Sequence, residues 1–106
     1  MSSDEDRFWR ACAKLLERDG VTRSTMMGLP CLRVRTKFFA AYDRANGNLL
    51  IKLPAARVDQ LIAEGRGADV APAGRRFREW AAIPPEAGDR WPGYLAEAWT
   101  FVAEST

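Results

Sequence analysis

At 106 residues, with 47% hydrophobic and 28% charged residues and a formal net charge of +2, the chain predicts a single domain over residues 1–106 with one modest core. The absence of histidine excludes Ser-His-Asp and Cys-His catalysis and any His-ligated zinc or iron site, and two cysteines are too few for a closed thiolate zinc site. No apolar run approaches the roughly 18 residues of a membrane span, and the acidic opening MSSDEDRFWR lacks the form of a secretory signal, so the expected setting is cytoplasmic, with Cys12 and Cys31 reduced.

Residues 4 to 18 read as a helix. Phe8, Cys12, Leu15 and Leu16 recur at i, i+4, i+7 and i+8, which makes one apolar stripe. Ser2 with Glu5 fits a capping box, and Asp4, Glu5 and Asp6 sit where the helix dipole favours anions. Gly20 is the expected stop. Residues 21 to 53 read as β structure, kinked near Gly28 and Pro30. In CLRVRTKFFAAYD, Leu32 and Val34 alternate with Arg33 and Arg35, the pattern of a half-buried strand. The run from Phe38 to Tyr42 reads as a strand covered on both faces. Asn46-Gly47 signals a hairpin into NLLIKL, residues 48 to 53.

Pro54 opens a second helix whose buried face carries Val58, Leu61 and Ile62, and Gly65 ends it. A short strand is expected at 68 to 71, and RFREWAAI is a further strand stopped by Pro84-Pro85. The last helix begins at Asp89 or Arg90, with Pro92 in its first turn and Trp91, Leu95, Ala98, Trp99 and Val102 on one stripe. The predicted fold is therefore α+β, an α-β(3)-α-β(2)-α two-layer domain. Its sheet is mainly antiparallel and its helices lie on one face. Leu15, Leu16, Leu61, Ile62, Leu95 and Trp99 are expected in the core.

MMGLPCLRV, KFFAAYD, GNLLIKLP, GRRFREWAAIPP and LAEAWTFV stand in the order typical of the TfoX/Sxy N-terminal domain, and the chain resembles that family from about Val21 to Val102. The wider MmcQ/YjbR-like group is similar in plan. The resemblance implies the same α-β(3)-α-β(2)-α order, a link to competence regulation, and the DNA-binding label attached to YjbR-like proteins. Full-length TfoX proteins carry a second, C-terminal domain, which the resemblance does not reach. Family members have Gly before the Lys of GKFFA, where this chain has Thr36 before Lys37. That glycine implies a tight turn near residues 35 to 36, dividing 31 to 42 into two strands. Threonine suits positive φ poorly, so the turn here should differ.

No motif calls for catalysis, a cofactor or a metal. Cys31 is the candidate nucleophile of an alternative reading as a small enzyme, and Glu79, an acid inside a predicted strand, is its candidate general acid–base. Ordinary strand packing for the first and a salt bridge for the second explain both residues. The basic residues point elsewhere. Strand alternation puts Phe77, Ala81 and Ile83 on the covered side, with Glu79 an uneasy fourth in that phase. Arg33, Arg35, Lys52, Arg76, Arg78 and Trp80 then share the helix-free sheet face. Arginine beside an aromatic ring is the chemistry used for single-stranded nucleic acid or another anion. A protein partner, including a second copy of the chain, is the other expectation, and simple solvation of an open face is the plain one. The sequence reading is a non-enzymatic binding module.

Overall fold

The computed structural model describes residues 3–26, 28–71 and 74–105, so Ser2 of the expected capping box lies outside it. Helix α1 runs over Ser3–Cys12 and buries Phe8 and Cys12 completely. It is shorter than the stripe suggests. After Ala13 the backbone tightens into a 3-10 turn, Leu15–Glu17, which brings Leu15 into the core beside β1 (Val21–Met26) and leaves Leu16 half-buried. The stripe thus continues through a change of helix type. Gly20, at φ 82, reverses the chain into β1, and its carbonyl accepts the Arg35 N–H at 2.7 Å.

The sheet has six antiparallel strands in the order β1-β2-β3-β4-β6-β5. Strand β2 spans Leu29–Val34, β3 Lys37–Asp43, β4 Asn48–Lys52, β5 Ala68–Val70 and β6 Phe77–Ile83. Four strands rather than three therefore precede helix α2 (Ala55–Ala63). The additional strand comes from the turn at Arg35-Thr36, which separates β2 from β3. Arg35, not Thr36, takes the left-handed conformation there, at φ 57, so the β-branched residue avoids it.

Strand β3 is not simply covered on both faces. Leu32 pairs with Ala40 but Arg33 pairs with Phe38, which leaves Phe39 as a bulge residue. The bulge lets Phe39 and Ala40 both enter the core while Phe38 leaves it. The hairpin to β4 closes through four residues rather than an Asn-Gly pair. Asp43 Oδ1 accepts the Ala45 N–H at 3.1 Å, Asp43 Oδ2 accepts from Asn46 Nδ2 at 2.9 Å, and Gly47 supplies φ 73.

Gly65 ends α2 as expected. It takes φ 72, its N–H bonds the Ile62 carbonyl at 3.1 Å, and the Arg66 N–H bonds the Leu61 carbonyl at 2.9 Å, which is a Schellman close. Pro84 halts β6, a 3-10 segment Pro85–Arg90 follows, and α3 (Trp91–Glu104) crosses the sheet. Trp91, Leu95, Ala98 and Val102 are buried on α3. Trp91 Nε1 donates to the Pro84 carbonyl at 3.2 Å, and the Arg7 guanidinium lies over the Trp91 ring. Ile62 and Trp99, placed in the core by the sequence, are half-buried at its margin, whereas Leu15, Leu61 and Leu95 are fully inside. Among the described residues no helix is long and apolar enough to cross a membrane.

Candidate functional site: the uncovered sheet face

One phase of every long strand meets the helices. Leu32, Val34, Tyr42, Leu49, Ile51, Leu53, Ala81 and Ile83 join Phe8, Val58, Leu61 and Leu95 in one core. Residues of the other phase lie outside that core, and no described element packs over them. The strand register orders them into two rows. The first crosses the whole sheet: Ser24, Cys31, Ala41, Leu50, Ala82 and Ala68. Cys31 and Ala41 are wholly inaccessible to solvent and Ala82 nearly so, although no helix covers them. Small side chains in one row let larger neighbours lie across them.

Those neighbours form the second row. Arg33 on β2 stands opposite Phe38 on β3, and Lys52 on β4 stands opposite Trp80 on β6. Cations and aromatic rings therefore alternate across four adjacent strands. All four residues are half-buried. The Arg33 guanidinium sits 5.9 Å from the Phe38 ring centre. Its Nε–H is buried and finds no acceptor among the described residues. Lys52 Nζ lies 4.0 Å from a Glu79 carboxylate oxygen, a loose, half-exposed pair. At the other end of the face the Asp43 carboxylate is occupied by its own turn. With exposed Arg78, the cations of this face outnumber its carboxylates, Asp43 and Glu79, by one.

Three of the six residues expected on this face are gathered there: Arg33, Lys52 and Trp80. Arg78 is exposed on β6 in the phase of Trp80 and Ala82. Arg35 is not on the face, because it forms the β2–β3 turn and bonds Gly20. Arg76 is not on it either. It precedes β6, and its guanidinium donates to Asp59 Oδ1 on α2 at 2.7 Å, on the helix side. Phe77, expected on the covered side, is 43% exposed. Val70 of β5 pairs with Phe77 while Asp69 pairs with Ala81, so Arg78, Glu79 and Trp80 bulge outward between two consecutive β5 positions. That irregularity resolves the awkward phase of Glu79, which is exposed instead of buried.

Phe38 and Leu50 complete the face and were missed. Leu50 follows from alternation, since Leu49 and Ile51 are core. Phe38 does not, because the bulge at Phe39 shifts the phase.

Of the two enzymatic candidates, Cys31 shares a hydrogen bond with Ser24 and Glu79 lies near Lys52. Burial pushes the Cys31 thiol above its ordinary value, opposed by a hydrogen bond with Ser24 and by the Arg33 charge. A thiol held protonated is a poor nucleophile. No group of three metal-ligating side chains occurs among the described residues. Away from this face, a groove of about 610 Å³ runs between α2 and α3 along Leu53, Pro54, Ala96 and Phe101. It is edged by the two-pronged Arg57–Glu97 pair, with Nε and Nη2 donating at 2.9 and 3.1 Å. No family model, curated protein or solved structure matches the chain.

Proposed function

We propose that the protein is a non-enzymatic binding module whose uncovered sheet face receives an anionic partner. The observation that carries this reading is the row Arg33, Phe38, Lys52 and Trp80, laid over a bed of small side chains and left without a covering element among the described residues. A face meant only for solvent needs charge but not half-buried rings. The buried, unpartnered Arg33 Nε–H is a cost that a ligand-binding guanidinium justifies and a solvating one does not. Binding is favoured over catalysis because Cys31 is held protonated and Glu79 lies in the open near Lys52. The ordered segments that resemble the TfoX N-terminal domain support a divergent place beside that family. The early turn at Arg35-Thr36 supports it too, since it falls where the family glycine stands.

An amide-resonance titration with inorganic polyphosphate tests the reading. Shifts confined to β2, β3, β4 and β6 are expected. No shift at low salt, or shifts centred on the Arg57–Glu97 groove, would sink it.

A further inference from the structure

Resting on that reading, we infer that the ligand is a single-stranded nucleic acid, with one base stacked on Phe38, another on Trp80, and phosphates held by Arg33 and Lys52.

The argument starts from the order along the row. A binding surface for a simple polyanion needs clustered cations, and rings between them would only dilute the charge. Here each cation has a ring beside it on the next strand: Arg33 opposite Phe38, Lys52 opposite Trp80. A polymer that alternates a charged group with a flat apolar one matches this sequence of groups, and single-stranded nucleic acid is such a polymer. Only β4 lies between the strands bearing the two rings, so their backbones stand about 10 Å apart. Two bases of one strand can therefore be splayed onto the sheet, as unstacked bases are on other open antiparallel sheets.

The remaining tryptophans strengthen the contrast. Trp9, Trp91 and Trp99 each carry an arginine over the ring, from Arg23, Arg7 and Arg18 at 4.5, 5.5 and 4.4 Å. Among the described residues Trp80 carries none, and neither it nor Phe38 is among those packed against the core. Its ring is the tryptophan face left for an outside group. The first row stays low under its larger neighbours. Cys31, Ala41 and Ala82 are too small to hold a base away from the strands, and Leu50 is the single larger side chain among them. A duplex does not fit this chemistry, because its bases are already stacked and paired.

The test is a fluorescence-anisotropy titration of the full chain with a labelled mixed-sequence 12-nucleotide single strand, the corresponding duplex, and inorganic polyphosphate as competitor. Single-strand binding that weakens with salt is expected, and the duplex should bind more weakly. Phe38→Leu and Trp80→Leu, which keep apolar bulk, should each weaken binding about tenfold without altering the salt slope. Trp80→Phe should restore most of the loss. Arg33→Gln and Lys52→Gln should each reduce the slope of log affinity against log salt by about 0.7. Arg57→Gln, on the helix side, should change neither.

Polyphosphate binding with Phe38→Leu and Trp80→Leu unaffected would overturn the inference and leave the anionic reading standing. Failure of every polyanion to bind would remove both. A duplex bound as tightly as the single strand would also overturn it. So would a homodimer in sedimentation that Trp80→Leu abolishes and the oligonucleotide leaves intact.

Discussion

The two faces of the sheet use the same residue types in opposite ways. On the helix side, each tryptophan ring has an arginine over it within the chain, although the buried Trp99 Nε1–H finds no acceptor among the described residues. Arg23 of β1 covers Trp9 of α1, Arg7 of α1 covers Trp91 of α3, and Arg18 covers Trp99. Arg57 is held by Glu97 and Arg76 by Asp59. On the uncovered side, Arg33 has an unanswered donor, Lys52 has a distant carboxylate, and Trp80 has no cap. Composition alone does not separate these roles, since both faces are rich in basic and aromatic groups. The difference lies in whether a neighbouring element supplies the partner. Where helices pack, each tryptophan ring has its cation within the chain; on the uncovered face Phe38 has Arg33 near its ring, and Trp80 is the ring left available.

The sharpest way to break the comparison is to delete equivalent leucines from the two faces. Leu95 is fully buried in the helix-covered core, so Leu95→Ala should cost about 2–5 kcal/mol. Leu50 is half-buried on the uncovered face, and Leu50→Ala should cost no more than about 1 kcal/mol. Urea melts of both variants decide this. Equal losses would mean that something covers the second face in solution, a second copy of the chain first of all.

The cysteines offer the next contrast. Both are buried and free, Cys12 in the core and Cys31 on the opposite side of the sheet. Burial pushes the Cys12 thiol up to about 12, against a small opposing effect of the Arg23 charge. In the unfolded chain the same thiol ionises near its ordinary value of 9.0. The unfolded state therefore releases a proton first as pH rises. Stability from this group is fully present below about pH 9 and declines towards pH 12, by at most about 1.4 kcal/mol per pH unit. Urea midpoints from pH 8 to 10.5 should fall less steeply in Cys12→Ala than in the parent. An unchanged slope would show that Cys12 is reached by solvent. Cys31→Ala, beside Ser24 and Arg33, should change the slope less than Cys12→Ala does.

A smaller effect should come from the ion pair that borders the groove on the helix side. The Glu97 hydrogen bond raises the Arg57 guanidinium above its ordinary value, and two prongs fix its geometry. Both side chains are partly exposed, so Arg57→Gln should cost only about 0.5–1 kcal/mol, and less at high salt. A loss beyond about 2 kcal/mol would mean that the pair is shielded from water far more than its exposure indicates.

How much of this was legible in the sequence follows the same division between local and non-local causes. The α+β class, the two-layer plan, the presence of a hairpin before β4 (though not its four-residue loop), the end of α2 at Gly65 and the end of β6 at Pro84 were readable. Each rests on backbone chemistry within a few residues. The phase of Phe38 was not, because it depends on a bulge set by how β2 and β3 align. Arg76 was misplaced because its partner, Asp59, is 17 residues away on another element. Phe77 was misplaced because the slip between β5 and β6 is a property of two strands, and alternation within one strand cannot report it. The break in the first helix was hidden because a 3-10 turn carries on the same apolar stripe. Arg33, Lys52 and Trp80 fall on one face, as alternation suggests, because β2, β4 and the second half of β6 keep a period of two.

The smallest stability change is expected where the functional change is largest. The Arg33 guanidinium lies near the Phe38 ring, but its buried Nε–H has no acceptor among the described residues. Replacing it with methionine retains an unbranched apolar chain of similar length and removes the orphaned donor. An unsatisfied buried donor costs about 1–3 kcal/mol, and this variant also gives up a weak contact with Phe38. The two effects oppose each other. Arg33→Met should therefore lie between neutral and about 1 kcal/mol more stable in a urea melt, while losing one phosphate contact from the salt slope of single-strand binding. Residues retained for a ligand often carry such a cost. A variant destabilised by more than about 1 kcal/mol would show that the guanidinium holds the sheet together. The comparison between the faces would then fail at its most specific point, because Arg33 would be as structural as Arg23 or Arg7.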